Sequence, residues 1–85
     1  MDDATRIEAA ILRLVAACEP GRSICPSEAA RALDADWQRL MGATRRAAIR
    51  LALAGRIEIL RKGRPVPPEG VKGVIRLRAP AGPAE

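Results

Sequence analysis

The apolar residues of this chain change period at one point, Gly55. In RRAAIRLALAGRIEILRKGR, residues 45–64, they fall at helical spacing up to the glycine. Beyond it, Ile57 and Ile59 alternate with charged neighbours, as on a half-buried strand. VIRLR, 74–78, alternates in the same way with Ile75 and Leu77 on one side. Between the two runs lies RKGRPVPPEGVKG, 61–73, whose three prolines and three glycines are loop chemistry. A helix that stops at a glycine, followed by two short strands and a long connection, predicts an antiparallel β-hairpin. Such a hairpin is not stable alone and must lie against helices.

The upstream sequence supplies them. Ile7, Ala10, Ile11, Leu14, Val15 and Cys18 recur at steps of three and four, which predicts a first helix over about 4–18. Thr5 and Glu8 fit a capping box, and Pro20-Gly21 ends the run. Ser23-Ile24 reads as a short extended piece. Pro26 suits the first position of a short second helix over 26–33. Asp36 is placed to cap a third helix over 37–54, with Gly55 just past its end. At 100° per residue Trp37, Leu40, Met41, Thr44, Ala47, Ala48 and Leu51 share one face, so Trp37 is expected in the core beneath the first helix. Aromatics are otherwise absent. Seventeen alanines imply closely approaching helices.

The order helix, short strand, helix, turn, helix, strand, loop, strand is that of a winged helix-turn-helix: mainly α, three helices plus a small β-hairpin as the wing. The expected layout is one domain over 1–78 and a disordered tail over 79–85. The runs SICPSE, WQRLM, RRAAIR, GRIEI, RKG and GVIRLR resemble a small bacterial winged-helix family of unknown function. The resemblance spans about residues 7–78 and implies the fold, without an activity to carry across.

Charge divides the chain. Residues 1–44 carry five basic and seven acidic side chains, and residues 45–78 carry ten basic and two acidic. Arginine outnumbers lysine thirteen to two, as in a GC-rich genome, but that bias does not explain why acids avoid the second half. The asymmetry points to a polyanionic partner. Arg39, Arg46 and Arg50 fall within an arc of about 40° on the third helix, opposite its apolar face. Gly42 and Ala43 beside them would allow close approach to a duplex, and Arg45 projects to the side. Arginines on such a face can read guanine in the major groove. A solvated polar face is the plain alternative, and Asp34 and Asp36 near the helix start would repel phosphates. The hairpin adds Arg61, Lys62, Arg64 and Lys72, with Arg76 and Arg78 on the last strand, suited to phosphate contact or to protecting a strand edge.

The chemistry of catalysis is thin. There is no histidine, and Glu28, Glu58 and Glu69 sit in three different elements. No nucleophile–base pair and no phosphate-binding glycine motif is readable. Cys18 falls on the apolar stripe, and Cys25 precedes a helix, where a thiolate would be favoured. Two cysteines cannot supply a structural zinc site. No enzyme activity, cofactor or metal is expected. No export signal or membrane span is readable, which makes the cytoplasm the expected location. The expected function is therefore binding of nucleic acid, duplex DNA ahead of structured RNA, with transcriptional regulation as one use. The alternative is a protein-interaction or homodimerisation module, to which Ile49 and Leu53, lying off the core face, would contribute.

Overall fold

The structure is a computed structural model that describes residues 2–80; the last five residues of the expected tail lie outside the described residues. Three helices and a three-stranded antiparallel sheet make a mainly helical fold, compatible with a winged helix. The helices are α1 (Asp3–Ala17), α2 (Pro26–Leu33) and α3 (Met41–Leu53). The strands are β1 (Glu58–Arg61), β2 (Arg64–Val66) and β3 (Arg76–Arg78), in the order β2-β1-β3.

The change of period at Gly55 marks the helix end. The Gly55 N–H donates to Ala52 O at 3.0 Å and the Arg56 N–H to Leu51 O at 2.9 Å, the paired bonds of a Schellman motif. That motif needs a left-handed residue, and Gly55 has φ +77°. Beyond it β1 pairs with β3 in the register Glu58↔Arg78, Ile59↔Leu77 and Leu60↔Arg76. Ile24 bridges to Leu77 on the far side of β3, its N–H and C=O each bonding Leu77 at 2.8 Å. The sheet thus lies against the helices. Ile7, Ile11 and Val15 of α1, Ala47, Ala48 and Leu51 of α3, and Ile57, Ile59, Ile75 and Leu77 form one core.

Four expectations need correction. The segment 61–73 is not all loop: β2 pairs with the end of β1, Arg61 facing Arg64, across a two-residue turn. Lys62 and Gly63 take φ of 52° and 81° there, the left-handed pair of a tight hairpin turn. Pro65 hides this strand from sequence reading, yet β2 is an edge strand, where proline is tolerated.

The Thr5–Glu8 capping box is not the one used. Asp2 caps α1, its carboxylate accepting from the Thr5 N–H at 2.8 Å, and this bond holds Asp2 below its ordinary carboxylate value.

Asp36 makes no side-chain cap, and residues 37–40 form a 3-10 turn before α3 begins. The Asp36 N–H instead donates to Asp34 Oδ1 at 2.8 Å.

The 3-10 turn also displaces Trp37. At about 120° per residue rather than 100°, the turn rotates Trp37 off the apolar face. It is half-buried and outside the core, with the Arg31 guanidinium 4.4 Å from its ring centroid, a cation–π contact. Thr44 does lie inward, its hydroxyl donating to Leu40 O at 2.8 Å.

Candidate nucleic-acid interface

On α3 the exposed ridge is Gly42, Arg46, Arg50 and Leu53, spaced by four, four and three residues. The sequence places Arg39, Arg46 and Arg50 on an acid-free face. The fold changes that face, because acids arrive from other elements. Arg50 Nε donates to Glu8 Oε2 of α1 at 2.9 Å. Arg39 Nη2 donates to Asp34 Oδ2, and its Nε lies 3.9 Å from Asp36 Oδ2. The Asp36 N–H first, and the Arg39 guanidinium second, hold the Asp34 carboxyl below its ordinary value. The aspartates that would repel phosphates are therefore partly neutralised, together with the arginine beside them.

Arg46 is the member of the trio with no ion pair among the described residues. Its Nη1 lies 3.4 Å from where a Cβ on Gly42 would stand, so the guanidinium folds back over the preceding turn. A methyl group at 42 would stand in van der Waals contact with it.

Arg45 points toward the hairpin. Its Nη1 donates to Gly73 O at 2.9 Å, and its Nη2 lies 3.4 Å from Val71 O. Arg61 of β1 approaches the same glycine, its Nη2 lying 3.3 Å from a Cβ built there. Two guanidiniums from different elements thus converge on Gly73, and the bonds of Arg45 join α3 to the segment leading into β3. Nothing in the sequence pattern singles out Gly73 or Val71, because the partners lie far away along the chain.

Lys62, Arg64 and Lys72 are exposed on the hairpin and its return segment, and none forms an ion pair among the described residues. The last-strand arginines are occupied. Arg76 donates to Ser23 Oγ at 2.7 Å and Ser23 O at 2.8 Å, and Arg78 donates to Glu58 Oε1 at 2.8 Å. The fold therefore brings Arg45 and Arg61 to Gly73, leaves Arg46, Lys62, Arg64 and Lys72 exposed on α3 and the hairpin, and ties Arg39 and Arg50 to carboxylates.

The cysteines are free thiols, both half-buried. Cys25 caps α2 through its backbone: its N–H donates to Glu28 Oε2 at 2.9 Å, and Ser27 Oγ lies 3.2 Å from its sulfur. Among the described residues no group of three or more His, Cys, Asp or Glu is placed to hold a metal ion. No helix among them is long and apolar enough to cross a membrane. The model of one protein family, described as a protein of unknown function, matches residues 4–80. No curated protein matches the sequence.

Proposed function

The chain belongs to the DUF3253 family, whose description assigns no task, and from its own surface we propose that it is a winged helix that binds double-stranded nucleic acid, duplex DNA foremost. One observation carries the reading. Asp34, Asp36, Glu8 and Glu58 pair with Arg39, Arg50 and Arg78, while Arg46, Arg61, Lys62, Arg64 and Lys72 have no carboxylate partners among the described residues. An excess of unpaired like charges is unfavourable for the isolated protein and favourable beside a polyanion.

In this reading α3 approaches the major groove with Arg46 leading, and Gly42 beside it keeps the ridge low. A guanidinium in that position can donate twice to guanine O6 and N7. The hairpin cations lie along phosphates, which fix register without reading sequence. Arg45 acts as a positioning residue, holding the return segment that carries Lys72 against α3. Binding of this kind suits a transcriptional regulator in a bacterial cytoplasm.

The test is a fluorescence-anisotropy panel of duplex DNA, single-stranded DNA and structured RNA at about 50 and about 200 mM salt. Duplex DNA is expected to bind tightest, with affinity falling steeply between the two salts. Negligible affinity for all three at the lower salt overturns the reading. A concentration-dependent dimer in that same protein would favour an interaction module, whose contact residues would include Leu53, 56% exposed at the end of α3.

A further inference from the structure

The outer face of the sheet carries a cleft whose apolar lining nucleic-acid binding does not use. On β1 the side chains alternate, so Ile59 enters the core and Leu60 faces away from it. Leu60 is nevertheless only 6% exposed. It forms the floor of a cleft of about 440 Å³ whose lining also includes Arg61, Lys62, Val74, Arg76 and Ser23. Val74 is 84% exposed at this cleft, the most exposed of the large apolar side chains described. Arg76 is fixed there by its two bonds to Ser23. The cleft thus has an apolar floor and wall, cationic residues in its lining and no acid.

We infer that this cleft binds a small amphipathic anion, an acyl or aryl group ending in a carboxylate, sulfonate or phosphate. The volume lies within the range of small-molecule sites, about 300–1,000 Å³, and suits one ligand. A concave site of this size fits a free molecule better than a membrane surface, which needs a protruding apolar face. Leu60 and Val74 would take the apolar portion. Lys62 and Arg76 would take the charge, with Arg76 already oriented and so losing little freedom on binding. Lys62 is shared with the nucleic-acid reading, but the support for the site is the cleft and its apolar lining.

The probe is anilinonaphthalenesulfonate, whose fluorescence rises in an apolar site, titrated into the folded full-length chain and displaced by decanoate. Saturable binding at one site is expected, with decanoate displacing the probe at least tenfold more effectively than decanol. Val74→Glu, at an exposed position, should weaken the probe at least tenfold while the thermal melt stays that of the parent. Lys62→Gln should weaken decanoate and leave decanol unchanged. The inference is overturned if the folded chain gives no saturable signal, if Val74→Glu binds the probe as the parent does, or if decanol matches decanoate. Duplex DNA is titrated separately, so a failure of nucleic-acid binding has no bearing on whether the cleft takes the probe.

Discussion

If a duplex lies on the α3–hairpin face, its affinity must fall with salt according to the cations it covers. Arg46, Arg61, Lys62, Arg64 and Lys72 have no carboxylate partner among the described residues. Each phosphate they neutralise steepens the plot of log affinity against log salt by about 0.9, giving a slope near −4.5 if all five engage. Over a fourfold rise in salt, from about 50 to about 200 mM, that is a loss of about 500-fold. Replacing Lys62 and Arg64 together by glutamine removes two contacts at the exposed β1–β2 turn. The slope should relax to about −2.7, and the loss over the same interval to about 40-fold. Glutamine at 62 inherits the left-handed backbone that lysine already occupies, so the hairpin is expected to survive, checked by circular dichroism. Anisotropy titrations at four salt concentrations give both slopes. Arg50→Gln is the control: it removes one positive charge, but one whose guanidinium is held by Glu8 at 2.9 Å, so the slope should stay near that of the parent. If the double variant keeps the parent slope while still binding, the hairpin does not face phosphates. If Arg50→Gln flattens the slope by a full contact, the assignment of paired and unpaired arginines is wrong.

Further expectations follow from particular side chains. Arg46→Ala should leave the melt unchanged; it should cost about 1–3 kcal/mol on a preferred duplex if the residue reads a guanine, and a similar amount on every duplex if it only meets phosphate. Ile59, 1% exposed in the core, should cost about 2–5 kcal/mol as alanine, a large share of the total for a small domain, measured by urea unfolding. Trp37 is expected to be quenched by acrylamide in the native chain, and more strongly in Arg31→Ala; a native tryptophan shielded from quencher would contradict its half-buried place. Asp2 and Asp34 both sit below the ordinary value of 3.8 when folded, so the stability they contribute is complete above that value and lost as pH falls through the folded one. Melts across about pH 2–6 should show a shallower acid limb in Asp34→Asn than in the parent, and parallel limbs would refute the assignment.

Local architecture is legible in the order of the residues. Periodicity and glycine chemistry predict the end of α3 at Gly55, the span of α2, the pairing of Ile59 with Leu77's strand and the extended piece at Ile24. Each depends on a fixed rotation per residue, or on a backbone conformation that one residue type adopts readily, and both are readable from neighbours in the chain. Other features arise only when distant segments meet. Arg50 and Glu8 are 42 positions apart, and Arg45 and Gly73 are 28 apart. Ion pairing depends on distance through space, so a helical wheel that shows three arginines cannot show the carboxylates that α1 and the preceding turn bring to two of them. Trp37 left the core because four residues wound as a 3-10 turn, a choice of backbone that the apolar spacing does not encode. The strand β2 is hidden in the sequence because its proline reads as loop, and only the presence of β1 beside it gives residues 64–66 a partner.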